Sequence, residues 1–358
     1  MRYVLAVLLA AVCFGTTGTA QALGPEADPL SIGAARLVIG GGALAAIAAI
    51  QVVASRRRAR AAVADARAAT DAAAATDAPP ASRSRRILPS WLLVALGAAG
   101  VVAYQPTFFA GTAANGVAIG TVVALGSAPV LTGALDWLTR RRYPGGRWLV
   151  ATAIATAGVA LLAFASGGGA GGRGATDPLG LAASLGAGLS YAVYTLAAKA
   201  LIDRGWASNA SMGALFGTAA AVALPILLLT DASWLATPAG LAMALWLGLV
   251  TTALAYVLFG AGLVGLAPAT VSTLTLAEPL TAGLLGVLLL GEQLSAGAIA
   301  GLAVLAAGIV VLATGGRRAG AADDRSASDP VSDAPASVEP WTSSSSPASG
   351  STPPPGRA

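Results

Sequence analysis

The chain has 358 residues, of which 56% are hydrophobic and only 10% are charged, and its mean hydropathy is +0.75. This composition excludes an ordinary soluble domain and indicates a membrane protein with several spans. The formal net charge is +5 and the pI is about 9.9. The arginines border apolar stretches, which fits membrane topology and not nucleic-acid binding.

Missing residue types exclude several kinds of catalytic and binding site. The chain has no histidine, so zinc-protease motifs, Ser-His-Asp triads and histidine-ligated haem are impossible. The one cysteine, Cys13, allows neither an intrachain disulfide nor a CxxC motif. The one lysine, Lys199, does not stand in a phosphate-binding loop. We therefore expect no enzymatic activity, no cofactor and no metal site.

The first half of the chain contains five apolar stretches that are each about long enough to cross a bilayer. They are residues 3–22, 30–54, 91–111, 115–138 and 148–165. The first stretch could instead be a cleaved secretory signal, because small residues follow its apolar core. The two-half pattern described below favours a retained helix. Residues 55–89 form a cytoplasmic loop rich in arginine and alanine, whose start can extend the second helix.

The second half repeats this organisation after a glycine-rich external linker at residues 166–177. Its predicted spans are residues 178–202, 209–229, 238–262, 267–290 and 295–314. The tail, residues 315–358, lacks the apolar residues needed to fold and is expected to be disordered. The chain therefore divides into a first five-helix repeat (1–165), the linker, a second five-helix repeat (178–314) and a cytoplasmic tail.

The placement of arginines predicts which side of the membrane each segment occupies. With the N-terminus in the cytoplasm, nearly all of the 21 basic residues fall in cytoplasmic segments. These segments are chiefly the 55–89 loop, the turn after the fourth span and the tail. Because basic residues concentrate in cytoplasmic loops, we predict a multi-pass protein of the inner or plasma membrane with both termini in the cytoplasm.

The two halves are related in sequence. Pro129 and Pro279 stand 150 positions apart, and the same spacing places Gly158 on Gly308 without a gap. Each half has five spans, an odd number, so the second half must enter the membrane from the opposite side. Related halves of opposite orientation form an inverted repeat, in which a site near the midplane can be exposed to either side. We therefore expect an all-α membrane protein of ten transmembrane helices in two inverted five-helix repeats.

An acid and a proline, Glu278 and Pro279, lie near the middle of the ninth span. If that helix starts near residue 267, Glu278 lies roughly 16 Å along its axis, close to the midplane. A carboxylate there costs about 2.5 to 3.5 kcal/mol to insert, so it should be neutral, paired or facing a polar cavity. Pro279 leaves one main-chain carbonyl unbonded and can break or bend the helix. Pro129 holds the equivalent place in the first half.

The run from Ala277 to Glu292, AEPLTAGLLGVLLLGE, resembles the last-but-one helix of EamA-type members of the drug/metabolite transporter superfamily. The ten spans, the inverted halves and the cytoplasmic C-terminus are similar too, over roughly residues 3–314. The resemblance implies a secondary carrier of small metabolites, often an exporter of amino acids or related compounds, coupled to an ion gradient. The first half departs from this pattern, because it has Ala128 where the second half has Glu278.

Glu278 is the first candidate for a functional side chain. It could take up a proton or contact a substrate amine, or it could bond to a neighbouring hydroxyl and only fix helix packing. Arg36, inside the second span, could bind a substrate carboxylate, pair with Glu278, or extend outward to the surface. The remaining candidates for the substrate or proton pathway are Tyr104, Gln105, Tyr191, Tyr194 and Tyr256. Tyr104 and Tyr256 are favoured because they correspond across the two halves.

The function that these features predict is secondary active transport of small molecules by alternating access, with Glu278 as the group that would allow proton coupling. The partners we expect are a small-molecule substrate and the lipid bilayer. Two alternatives remain open on the sequence: a passive membrane channel and a membrane assembly protein without transport activity. The sequence does not determine the oligomeric state, since its GxxxG pairs can pack helices within one monomer.

Overall fold

A computed structural model describes residues 1–70, 88–141, 143–165 and 177–314 of the chain. Three predicted segments fall wholly or largely outside the described residues. They are the arginine- and alanine-rich loop from residue 71, the glycine-rich linker up to residue 176, and the tail from residue 315.

Ten helices in the described part of the chain are long and apolar enough to cross a membrane, and that part contains no strand. The predicted all-α membrane fold is therefore confirmed. The first seven spans are α1 (Arg2–Ala22), α2 (Pro29–Thr70), α3 (Ser90–Asn115), α4 (Val117–Arg140), α5 (Gly146–Ala163), α6 (Pro178–Ile202) and α7 (Ser208–Leu229). The tenth span is α12 (Ala296–Ala313).

The eighth and ninth spans are each interrupted. The eighth consists of α8 (Pro238–Leu245), a π-helical segment (Trp246–Leu254) and α9 (Ala255–Gly265). The ninth consists of α10 (Pro268–Leu274), a 3-10 turn (Thr275–Ala277) and α11 (Glu278–Leu290). Both breaks lie inside an apolar span, where they interrupt the regular α-helical hydrogen bonding.

Local sequence explains both breaks. Pro279 has no N–H group and its ring clashes with the preceding turn, so the helix tightens into a 3-10 turn just before it. In the eighth span the Thr252 hydroxyl donates to the carbonyl of Leu247, five residues back, at 2.9 Å. Pro129 behaves differently, since α4 continues through it. Its ring is buried among neighbouring helices, whose packing keeps the span continuous.

Glycines bring equivalent helices of the two halves into close contact. A Cβ atom on Gly158 of α5 would lie 2.6 Å from Cα of Leu305 in α12, and one on Gly308 would lie 2.6 Å from N of Ala155. Ala155 and Leu305 are themselves 150 positions apart, so the contact is reciprocal, as a two-fold axis requires. Advancing along α12 moves the contact backwards along α5, so the two helices run antiparallel. Two inverted halves would produce this crossing.

Exchanging each helix for its equivalent in the other half relates other contacts in the bundle as well. α6 packs on α3 and α4, and α1 packs on α9 and α11, while α2 packs on α7. The helix α1 belongs to the core, where Val7, Ala10, Ala11 and Phe14 are buried. The helix α2 is longer than the predicted span, because it continues past residue 54 to Thr70.

Candidate functional site

A cavity of about 80 Å³, here called the central cavity, lies where the interrupted spans meet α1, α2, α3, α4 and α6. Six of the seven residues proposed from the sequence for the substrate or proton pathway line it: Arg36, Tyr104, Tyr191, Tyr194, Tyr256 and Glu278. Pro279 lines it as well, whereas Pro129 does not belong to its lining. Side chains from both halves of the chain therefore meet at one site.

Glu278 lies at the first position of α11, directly after the 3-10 turn. Its position is fixed from outside by α1, because a Cβ on Gly15 would lie only 2.7 Å from the carbonyl oxygen of Glu278. Within the described residues its carboxylate has no hydrogen-bond partner, and no ion pair within 4.0 Å involves it. The carboxylate is therefore available to a proton or a ligand cation.

Arg36 is held inside the bundle and does not extend to the surface. Its Nε donates to the Thr252 hydroxyl at 2.8 Å and its Nη2 donates to the carbonyl of Thr251 at 3.1 Å. Both acceptors belong to the π-helical segment of the eighth span. A guanidinium has five N–H groups, so the two bonds to described residues leave three for a ligand in the central cavity.

Hydroxyl groups fix the tyrosines of the cavity wall. The Tyr191 and Thr275 hydroxyls lie 2.8 Å apart, and the Thr275 hydroxyl donates to the carbonyl of Ser272 at 2.7 Å. The Tyr191 hydroxyl is therefore the donor to Thr275. The Tyr194 and Tyr256 hydroxyls lie 3.1 Å apart. These bonds hold aromatic rings and hydroxyls in place around Glu278.

Gln105 lies apart from Glu278, in a neighbouring side cavity of about 50 Å³. Arg36, Tyr104, Tyr194 and Tyr256 line both cavities and so lie between them. Gly33 of α2 faces Gln105, since a Cβ on that glycine would lie 3.4 Å from its Oε1. The structure thus places Gln105 behind Arg36, not beside the carboxylate.

Among the residues of the site that sequence reasoning missed are one aromatic and three hydroxyl side chains: Phe14, Thr252, Ser272 and Thr275. Two had a usable signal. Thr252 and its neighbour Thr251 form the only adjacent pair of hydroxyls in the eighth span, four residues before Tyr256. Thr275 stands three residues before Glu278, one turn away on a helix. Ser272 and Phe14 had none beyond their place in an apolar span.

Ion pairs and a hydrogen bond join three spans at one end of the bundle. Asp203, just after α6, pairs with Lys199 at 3.0 Å and with Arg140 at the end of α4. Arg140 also pairs with Asp136 at 2.8 Å. Lys199 donates to the carbonyl of Leu263 in α9 at 2.8 Å. We call these side chains the ion-pair cluster, and they tie α4, α6 and α9 together there.

Comparison with known proteins identifies the family. A model of the EamA-like transporter family matches residues 1–164 and 178–314. The chain belongs to the EamA-like transporter family. The resemblance inferred from residues 277–292 is thereby confirmed, and the protein is a membrane transporter. An EamA-like transporter of this kind contacts the lipid bilayer and takes a small-molecule substrate.

Two further proteins are similar to this EamA-like transporter. "Uncharacterized transporter YwfM" of Bacillus subtilis (strain 168) is 38% identical over 318 residues, which cover 88% of this chain and 95% of that protein. A protein of known crystal structure is 18% identical and superposes with a TM-score of 0.66, covering 87% of this chain and 98% of the other. The second likeness supports the fold alone.

Proposed function

We propose that this EamA-like transporter is a secondary active carrier of small zwitterionic metabolites, amino acids or related compounds, and that it works as an exporter by alternating access. One observation carries the proposal. Arg36 and Glu278 line the same cavity, yet no ion pair within 4.0 Å joins them among the described residues. A cation and an anion held apart in one polar cavity can bind the two opposite charges of a zwitterion.

Each end of such a substrate has a partner with suitable chemistry. The free N–H groups of Arg36 match the planar oxygens of a carboxylate. The Glu278 carboxylate matches an ammonium group, and the surrounding tyrosine rings add cation–π attraction. Both charges are expensive at membrane depth when unpaired, so a ligand that satisfies both gains affinity from the site.

The two halves supply the mechanism. Arg36 belongs to residues 1–165 and Glu278 to residues 178–314, so rocking one half against the other would expose the site to alternate sides. The antiparallel, reciprocal contact of α5 with α12 supports the inverted repeat. In this proposal the linker at 166–177 lies outside the plasma membrane and both termini lie in the cytoplasm. A cysteine introduced into the linker should be labelled from the side of the membrane opposite the tail. Labelling of this cysteine from the same side as the tail would contradict the inverted arrangement.

Glu278 is also the proposed site of proton coupling. A carboxylate that exchanges a proton for a substrate ammonium binds one cation at a time, which couples the two movements.

The substrate class can be tested with three solutes of similar size in proteoliposomes. Alanine carries both charges, ethylamine only the ammonium group and propionate only the carboxylate. We expect alanine or a larger zwitterion to compete with the transported substrate, and the two singly charged analogues to compete weakly. Equal competition by ethylamine would show that Arg36 takes no part in recognition and would contradict the zwitterion proposal.

A further inference from the structure

The feature that the transport proposal leaves unexplained is the length of α2. This helix has 42 residues, from Pro29 to Thr70, although about 20 suffice to cross the hydrocarbon core. Its partner α7 begins at Ser208, and a Cβ on Gly213 would contact Ala48 of α2. Because the helices are antiparallel, the start of α7 is level with about residue 53. The rest of α2 therefore extends beyond the bundle.

The first turns of this extension carry a concentrated positive charge. Residues 55–64 read SRRRARAAVA and contain four arginines and no acid. Alanine and arginine are strong helix formers, which explains why the helix continues outside the membrane. We call the surface formed by Arg56, Arg57, Arg58 and Arg60 the arginine collar. Successive residues on a helix are about 100° apart, so these arginines surround the helix and do not form one stripe.

Among the described residues, no acidic side chain pairs with the collar. All four arginine side chains are exposed, and none of the ion pairs within the described residues includes them. Arg140 and Lys199, by contrast, both pair with Asp203. Four neighbouring guanidiniums with no acid partner among the described residues form a surface suited to an anionic partner.

The position of the collar identifies that partner. If the core begins near Leu30, 20 residues bring the helix to the opposite boundary near residue 50. Arg56 then lies about 9 Å beyond this boundary and Arg60 about 15 Å, within reach of the headgroup layer for a long side chain. Juxtamembrane arginine clusters are attracted by anionic lipids. Guanidiniums also bind phosphate oxygens in a bidentate manner.

We propose that the arginine collar binds the phosphate headgroups of anionic phospholipids and so anchors α2 to the membrane surface on that side. This surface is separate from the central cavity. The proposal holds whether or not the substrate is a zwitterion. The proposed partner is a lipid. The tail carries five acids, from Asp323 to Glu339, which could bind the collar instead, so the test must distinguish lipid binding from binding of the tail.

The test uses the purified full-length chain in a neutral detergent, titrated with a fluorescent short-chain phosphatidylglycerol. Neutralising all four collar arginines to glutamine should weaken binding about tenfold or more, since each basic residue near an anionic surface contributes a substantial attraction. The matched control replaces the same four arginines by lysine and should keep most of the affinity. A second control, Arg325→Gln with Arg357→Gln, removes charge from the tail well beyond the last span in sequence and should leave binding unchanged.

A second measurement protects the test against a glutamine variant that fails to fold. Binding of phosphatidylglycerol to the unmodified chain should weaken steadily as salt is raised, because exposed charges are screened. Phosphatidylcholine should bind weakly at every salt concentration. Equal binding by the folded glutamine variant, or binding that ignores salt, would overturn the proposal. Binding that emerges only after truncation at residue 314 would identify the tail as the occupant and would overturn it equally.

Discussion

Arg36 of the second span donates from Nε to the hydroxyl of Thr252 in the eighth span, at 2.8 Å. The two residues are 216 positions apart and belong to different halves of the chain. The bond holds a guanidinium at the wall of the central cavity, where Glu278 lies on the other half. Transport by alternating access depends on this arrangement, because both halves must contact one substrate for a rocking motion to move it.

Replacing Glu278 by glutamine should abolish the pH dependence of transport, since glutamine keeps the shape of the side chain but cannot exchange a proton. Transport should be measured in proteoliposomes with and without an imposed pH gradient. Glu292→Gln is the matched control, because Glu292 lies after the C-terminal end of α11 and outside the cavity lining. Proton coupling that survives in the Glu278 variant would exclude this residue as the coupling group.

Replacing Arg36 by methionine should raise the KM for a zwitterionic substrate about 10- to 100-fold, because a hydrogen bond to a charged group contributes about 1.5 to 3 kcal/mol. The matched variant Thr252→Val removes only the acceptor of the Nε bond. It should raise the KM less, since the carbonyl of Thr251 still holds the guanidinium. An unchanged KM in the methionine variant would mean that Arg36 serves packing alone.

Gly15→Ala should destabilise the protein by about 1 to 3 kcal/mol, the usual cost of an added methyl group in a packed interior. The new Cβ would lie 2.7 Å from the carbonyl oxygen of Glu278 and 2.5 Å from Cβ of Thr281. Gly18→Ala, one turn further along α1, is the control, since nothing lies within 4 Å of a Cβ there. Thermal unfolding in detergent should separate them, and equal melting temperatures would contradict the close packing of α1 on α11.

Asp203 should contribute stability that depends on pH in the acid range. Burial acts to raise its pKa, but hydrogen bonds from Arg140 and Lys199 outweigh burial and hold the pKa of Asp203 below its ordinary value. A lowered pKa means that the folded state binds this proton less readily than the unfolded state. The stabilisation is therefore present above about pH 4, where an unfolded aspartate ionises, and is lost as the pH falls through the folded pKa.

The measurement is the difference in melting temperature between the unmodified chain and Asp203→Asn as a function of pH. That difference should stay constant between pH 6 and 8 and shrink below about pH 4. Subtraction removes the contribution of the other carboxyl groups. A difference that changed near neutral pH would show that the ion-pair cluster is arranged otherwise than described.

The bilayer made most of the fold predictable from the sequence. Each span must satisfy its own backbone groups within a fixed thickness, so residues 178–202 were predicted with the boundaries that α6 has, and most other limits agree within a few residues. The extension of α2 to Thr70 was not defined by that rule, because it leaves the membrane. The bilayer constrains the length and apolarity of a segment that crosses it, but it does not constrain a helix outside the membrane.

The sequence predicted which charged and aromatic residues belong to the site, but not how they are arranged in space. Glu278 and Arg36 stand out because charges are rare at membrane depth. Their separation, the tie of Arg36 to the π-helical segment and the location of Gln105 in a side cavity depend on how distant helices pack. The ion-pair cluster likewise joins Arg140 to Asp203 over 63 positions, and no local pattern connects them.

The most direct test of the central claim is counterflow in proteoliposomes. Vesicles loaded with an unlabelled zwitterionic substrate are diluted into a trace of the same substrate carrying a label. A carrier with one alternately exposed site should accumulate the label transiently above its external concentration, and Glu278→Gln should change the pH dependence of that accumulation. Simple equilibration of the label, with no overshoot from loaded vesicles, would identify a passive pore and contradict alternating access.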